Sequence, residues 1–288
     1  MQTRTSLYGI VGNPVAHSLS PLMHNAAFRE LGVNAEYRLF PLKEEELAGF
    51  FKDLRRKECD IFGLNVTVPY KEKVVGYMDS LNPFAQRTLA VNCVVVSKDR
   101  LFIGVNTDGP GFLAQLAELK FDARDKRIAI LGAGGTTRAI LGAVCLLPER
   151  PESLIIYNRH PEKAQALVQD LAERIDMSFV AVTGSIDDLN LELADLLINT
   201  TPVGMNPQDP LLVDPELLHP DMLVYDVIYN PAETKLLKTA RQKGAKTVNG
   251  LGMLFYQGVL SMQHWSGVQL RDSVKAKMRE SLQQGSAA

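Results

Sequence analysis

The sequence offers little to a metal, a nucleic acid or a membrane. Its three cysteines, Cys59, Cys93 and Cys145, lie far apart and form no CxxC pair. That spacing argues against a thiolate metal site and a disulfide framework, and it suits buried thiols in a reducing compartment. His17, His24, His219 and His264 show no ligand spacing and read as structural, so no metal is expected. Neither charge dominates: 31 basic residues face 33 acidic ones, for a net charge of −2. No basic field therefore draws nucleic acid or an anionic membrane surface, and an anionic ligand has to be captured locally. The longest apolar stretch, around Ala139 to Leu147, falls far short of the ~20 residues that span a bilayer, and the start of the chain carries no signal-peptide core. A cytoplasmic protein is expected.

What is present is alternation. At 288 residues, two domains are a better expectation than one. SLYGIVG, PLMHNAAFRELG, AEYRLFPL, KEEELAGFFKDLRRK and DIFGLNVTV read as βαβαβ, and AVNCVVVSK with RLFIGVNTD reads as a hairpin returning to the same sheet. From Arg127 a second series of strands and helices begins with RIAILGAGG and closes with KTVNG, which predicts a second, parallel-sheet α/β domain. GMLFYQGVLSMQHW and QLRDSVKAKMRESL then predict two helices with no sheet of their own, folding back onto the first domain before a polar tail, QQGSAA. The expected boundaries are 1–108, completed by 252–288, and 109–251 between them.

ILGAGGTTRAI follows a predicted strand and opens a predicted helix, the context of a dinucleotide-binding turn. Gly132 allows the tight turn, Gly134 lets the backbone approach a pyrophosphate, and Gly135 keeps the loop free of side chains. Free N–H groups at the helix start suit phosphates. Thr137 stands where GxGxxG has its third glycine, so the match is partial. At the end of the next strand, where an acid would hold the ribose of NAD, the chain has Asn158 and Arg159. Arg159 suits a 2′-phosphate and favours NADP, against the plainer reading of a solvated surface arginine.

NVTVPYK, residues 65–71, begins as a strand and is broken by Pro69, which predicts a strand end at Val68 and places Lys71 on the sheet rim. Asn65 and Thr67, two apart, share one face and imply a polar-lined cavity. In HSLSP, Ser20 and Pro21 fit the N-cap and first helical position, while Ser18 and Ser20 equally suit donation to a substrate carboxylate. In NTDG, Asp108 fits either a helix cap or a catalytic acid.

HSLSP, NVTVPYK, AVN, NTDG, GAGG followed by an arginine, YNP and GLGMLFYQG occur in this order across nearly the whole chain. In this the sequence resembles the shikimate dehydrogenases. The resemblance implies an N-terminal substrate-binding domain with a mostly parallel sheet, a Rossmann-type NADP domain, and an active site in the cleft between them. It implies reduction of 3-dehydroshikimate to shikimate with NADPH, in the pathway to chorismate and the aromatic amino acids. Lys71 and Asp108 would be the catalytic pair, Ser18 and Ser20 would bind the substrate carboxylate, and Asn65, Thr67, Asn92, Tyr229 and Gln257 would surround the ring. The cofactor set expected on this resemblance is Gly132, Ala133, Gly134, Gly135, Thr136, Asn158, Arg159, His160, Lys163, Val227 and Gly250. His160 replaces a common threonine or serine, and two readings fit it: contact with the adenine or 2′-phosphate, or an exposed cap of the following helix.

Chemistry supports the pairing, since a carbonyl receiving hydride becomes an alkoxide that needs a proton and nearby positive charge. Lys71 offers both, with Asp108 holding the ammonium. Two rival readings are a quinate/shikimate dehydrogenase using NAD and a non-catalytic sensor of pathway metabolites; the intact Lys71 and Asp108 argue against the sensor. A monomer or homodimer is expected.

Overall fold

The computed structural model describes residues 4–287. The chain divides into two compact units, Met1–Gly111 with Leu254–Ala288, and Phe112–Met253. Both crossings fall inside helices, at 111/112 and 253/254, where the sequence pattern placed them at 108/109 and 251/252. The extreme ends of the expected first domain, residues 1–3 and 288, lie outside the described residues.

The first unit opens with β1 (Ser6–Gly12), α1 (Ser20–Leu31), β2 (Ala35–Pro41), α2 (Leu47–Leu54) and β3 (Ile61–Val66). It continues with β4 (Ser80–Leu81), α3 (Pro83–Thr88), β5 (Cys93–Val96), β6 (Phe102–Val105) and the start of α4 (Asp108–Glu118). Its six-stranded sheet has the order β2-β1-β3-β5-β6-β4, with parallel pairing of β1 to β2 and β3 and of β4 to β6. The β5–β6 hairpin is antiparallel, as the two β-rich runs predict. Strand β3 carries the alternation that matters here. Leu64 and Val66 are buried with Leu47, Phe51 and Leu54 on one face, each such burial contributing about 1.5–3 kcal/mol. The opposite face carries Gly63, against which the Trp265 ring lies, and Asn65.

The second unit contains most of α4, then β7 (Arg127–Leu131), α5 (Gly135–Cys145), β8 (Ser153–Tyr157), α6 (Pro161–Ala172), β9 (Val180–Thr183), β10 (Leu196–Asn199), β11 (Leu223–Asp226), α7 (Lys235–Gln242) and β12 (Lys246–Asn249). The sheet order is β12-β11-β10-β7-β8-β9 and every pairing is parallel. Both faces are covered: Ile128 and Ile130 enter one apolar cluster, Ala129 and Leu131 the other. The order reverses between β7 and β10, and ligands of such sheets bind outside the carboxyl ends at that switch point. Among the described residues, no helix is long and apolar enough to cross a membrane.

Helices α8 (Leu251–Ser266) and α9 (Asp272–Ala287) follow, and from Leu254 onward the chain belongs to the first unit, where α9 packs on α1. Helix α9 continues through the stretch expected as a polar tail, where Gly285 packs closely against Leu22. Ala288 lies outside the described residues. Two further expectations are corrected. Strand β3 ends at Val66, not Val68: the Thr67 N–H still donates to Val11 O, but Val68 already turns outward at 58% exposure. Ser20 does not cap α1: Leu19 holds that position without a side-chain bond, and the Ser20 N–H instead donates to Ser18 Oγ at 3.2 Å.

Candidate functional site

The turn after β3 delivers Lys71. Tyr70 is buried, its hydroxyl donates to Leu42 O at 2.7 Å, and the Val91 N–H donates to Lys71 O at 2.8 Å. With its main chain tied on both sides, Lys71 sends Nζ to within 2.6 Å of Asp108 Oδ2, and the two side chains are 11% and 8% exposed. The other carboxylate oxygen of Asp108 accepts from Asn92 Nδ2 at 2.7 Å. A pair this withdrawn from water is held by full hydrogen bonding, and loss of either partner strands the other charge.

Asp108 is available for this role because another residue caps α4. Asn106 Oδ1 accepts the N–H groups of Asp108 at 3.0 Å and Gly109 at 3.4 Å, while its Nδ2 donates to Ala90 O at 3.0 Å. Of the two readings of NTDG, the structure gives the cap to Asn106 and leaves the Asp108 carboxylate to Lys71 and Asn92. The sequence contained this signal, since an asparagine side chain readily accepts the backbone N–H two residues on, as in a turn that leads into a helix.

Around the pair lies a buried polar cluster. Asn92 Oδ1 accepts the Thr107 N–H at 2.6 Å, which fixes its amide so that Nδ2 faces Asp108. Gln257 Oε1 stands 3.5 Å from the same Nδ2, and Thr107 Oγ1 and Ser261 Oγ are 3.2 Å apart. Asn65, 4% exposed, donates to Asn92 O and Ser261 Oγ and accepts from the Tyr37 hydroxyl. Thr67 is partly exposed at the strand end and Ser18 is partly exposed before α1, whereas Ser20 is 2% exposed. The sequence reading missed Thr107, Ser261, Asn106 and Tyr37. For Ser261 no signal existed, since in LSMQHW it resembles any serine of an apolar helix.

In the second unit, Gly132 follows β7 at φ +109°, a left-handed conformation that favours glycine, and a Cβ there would strike Thr200. A Cβ on Gly134 would meet only open space, leaving its backbone approachable. Thr137, in place of the third glycine, is buried; its Oγ1 accepts the Gly134 N–H at 3.2 Å and meets Thr200 Oγ1 at 2.7 Å. The substitution therefore ties the turn to β10 without filling it. First-turn N–H groups of a helix lack intrahelical acceptors, so the start of α5 suits a pyrophosphate. Ala133 and Thr136 flank this turn, both partly exposed. Beyond β8, Arg159, His160 and Lys163 are exposed and Asn158 Oδ1 accepts the His160 N–H at 2.9 Å. His160 precedes α6 without a side-chain cap bond, and its Nδ1 lies 3.4 Å from Glu162. His160 thus occupies the exposed N-cap position of α6, as the second reading has it, without a side-chain bond to the helix. Arg159 and Lys163 present positive charge here, and the strand end itself carries no acid, a setting that suits a 2′-phosphate.

Val227 and Tyr229 follow β11, and Gly250 packs so closely on the Val227 carbonyl that a Cβ would overlap it. Asp226 shapes this turn. Its carboxylate, whose pKa burial raises, takes Thr234 Oγ1 at 2.7 Å, Asn199 Nδ2 at 3.0 Å and the Ile228 N–H at 3.1 Å. Of the cysteines, Cys59 is partly exposed while Cys93 and Cys145 are buried, and burial pushes the Cys93 thiol up to about 12, so it stays protonated.

The chain resembles known proteins along nearly its whole length. Residues 10–94 match the shikimate dehydrogenase substrate binding domain, and residues 115–202 match the shikimate / quinate 5-dehydrogenase family. The chain is 42% identical over 272 residues to the shikimate dehydrogenase (NADP(+)) of Methanopyrus kandleri, covering 93% of this chain and 92% of that one. Among solved structures, it superposes on a shikimate dehydrogenase in complex with NADP+ with a TM-score of 0.85 at 37% identity, covering 99% and 96% of the two chains. It superposes on the Thermus thermophilus enzyme in complex with NADP(H) and shikimate with a TM-score of 0.82 at 33% identity, covering 98% and 100%.

Proposed function

The chain belongs to the shikimate dehydrogenase family, and from that premise we propose how its own residues carry out the NADP-dependent reduction of 3-dehydroshikimate to shikimate. Bound NADPH supplies a hydride to the ring carbonyl carbon. Lys71, as ammonium, donates a proton to the oxygen that becomes an alkoxide and places positive charge beside it. Asp108, 2.6 Å from Nζ, orients that ammonium, and Asn92 keeps the carboxylate aligned from its other oxygen at 2.7 Å. In the reverse direction a neutral Lys71 takes the hydroxyl proton and Asp108 holds it in place.

Ser18 and Ser20, before and within the first turn of α1, are assigned to the substrate carboxylate, with Thr67, Asn92, Gln257 and Tyr229 around the ring hydroxyls. Hydroxyls and amides at these positions suit a polyol, because a buried polar group left without its partner costs about 1–3 kcal/mol and so rejects analogues lacking a hydroxyl. The glycine turn Gly132–Gly135 with Thr136 is assigned to the pyrophosphate, Arg159 with His160 and Lys163 to the 2′-phosphate, and Val227 with Gly250 to the nicotinamide end. We place the enzyme in the cytoplasm, which its three free cysteines suit. A monomer or homodimer serves the scheme, since Lys71, Asp108 and Asn92 come from one chain.

The observation that carries this reading is the withdrawn Lys71–Asp108 pair with Asn92 on its far oxygen. Lys71→Ala tests it: kcat should fall about 100-fold or more while shikimate binding changes by a small factor, because the proton is needed chiefly in the transition state. Equal loss of binding and rate would make Lys71 a binding residue.

A further inference from the structure

The network beneath the catalytic pair ends on residues to which the scheme above gives no role. Asn65 has two N–H donors and both are used, to Asn92 O at 3.1 Å and to Ser261 Oγ at 2.9 Å. Its Oδ1 accepts the Tyr37 hydroxyl at 2.8 Å. All of these side chains are buried: Tyr37 is 2% exposed and Ser261 is 0% exposed. An amide with both donors spent on internal partners, on the strand face that packs against α8, has little left to offer a ligand.

The foot of this arrangement is itself clamped. Asn25 of α1 accepts the Tyr37 N–H at 2.8 Å and donates to the Tyr37 carbonyl at 3.1 Å. The His24 ring stacks on the Tyr37 ring at 4.4 Å and 15°. On the other side, Ser261 donates to Gln257 O at 2.9 Å and meets Thr107 Oγ1 at 3.2 Å. Thr107 is the residue whose N–H and hydroxyl fix Asn92 Oδ1, at 2.6 and 3.2 Å. Asn92 is therefore held twice, at its carbonyl by Asn65 and at its side chain by Thr107, and its Nδ2 is what aligns Asp108.

We propose that Tyr37, Asn65 and Ser261 form a positioning bracket that holds Asn92, and through it the Asp108 carboxylate, in the geometry that serves Lys71, and that Asn65 does not touch the substrate. The proposal rests on the catalytic assignment of Lys71 and Asp108 made above. It reassigns Asn65 from the ring-binding set that the family resemblance implies. A bracket of neutral hydrogen bonds acts on rate through alignment, since small misplacement of a proton donor is felt chiefly in the transition state.

The test compares Tyr37→Phe, Ser261→Ala and Asn65→Ala by kcat, by direct titration of shikimate, and by thermal melting. Tyr37→Phe keeps the ring and its stacking and removes one neutral hydrogen bond, so kcat should fall about fivefold with the shikimate Kd within about twofold. Asn65→Ala should lower kcat further at similar Kd, and adding Tyr37→Phe to it should change kcat no more, because the hydroxyl acts through the amide. Should Asn65→Ala fail to fold, Tyr37→Phe and Ser261→Ala carry the test. A raised shikimate Kd with kcat retained would make Asn65 a ligand, and a lowered melting temperature with kcat and Kd both retained would make the bracket merely structural. Either result overturns the proposal. Wild-type protein inactive on shikimate with NADP removes the catalytic assignment, and the proposal with it, which an active wild type with unaffected variants does not.

Discussion

His24 gives the first unit a built-in sensitivity to acid. The ring is fully buried between Tyr37, at 4.4 Å, and Trp265, at 5.1 Å, and neither of its nitrogens has a hydrogen-bond partner. Burial pushes its pKa down from 6.5 to about 3, and the nearby Asn65 side chain offsets part of that shift. The sign follows from proton binding. Below pH 6.5 the unfolded chain takes up a proton that the folded chain refuses until about pH 3, so the contribution is fully present above 6.5 and is lost as pH falls toward 3. At about 1.4 kcal/mol per pH unit, roughly 2 kcal/mol is gone by pH 5, a sizeable share of a typical stability of about 5–15 kcal/mol. Trp265, the one tryptophan of the chain, lies against His24 and reports on this unit. Urea unfolding followed by tryptophan fluorescence at pH 7.5 and pH 5 should show wild type losing about 2 kcal/mol more than His24→Leu. Equal losses in the two proteins would refute the reasoning, and with it the claim that the ring is held neutral.

Two further outcomes follow from the site. Arg159→Ala should raise KM for NADPH tenfold or more with little change for NADH, since one charge-assisted contact to phosphate is worth about 1.5–3 kcal/mol; equal effects on both cofactors would remove Arg159 from the 2′-phosphate site. Asn106→Ala deletes the cap of α4 and should cost about 1 kcal/mol in unfolding measurements, with a fall in kcat because Asp108 sits in the first turn; stability lost at full kcat would show that the cap does not position the carboxylate.

The alternation of strands and helices was legible, because period-2 and period-3.6 patterns and the glycine turn each have a direct physical cause. The parallel second sheet, the β5–β6 hairpin and the two closing helices followed from it. Short elements were not legible: β4 has two residues and α3 six, too few for a period to register. Of the site, NVTVPYK and NTDG put Lys71 on a sheet rim and Asp108 at a hairpin end; the family resemblance alone joined them as a pair, and the structure brings them to 2.6 Å. What the pattern could not supply were partners distant in sequence. Ser261 meets Asn65 across 196 positions, and Tyr37 meets it across 28. Such pairings depend on which helix covers which sheet face, so a buried serine or tyrosine reads from sequence as ordinary core. Ser20 failed for the opposite reason: it fits a cap locally, yet the helix already includes it and buries it.

The most direct test of the account is the initial rate of NADPH oxidation by purified protein given 3-dehydroshikimate, measured beside NADH and, in the reverse direction, beside quinate. Turnover with NADPH and 3-dehydroshikimate is expected, with a kcat/KM at least tenfold lower with NADH and loss of the rate in Lys71→Ala. Binding of both ligands without any turnover, or faster reaction with NAD and quinate than with NADP and shikimate, would contradict it.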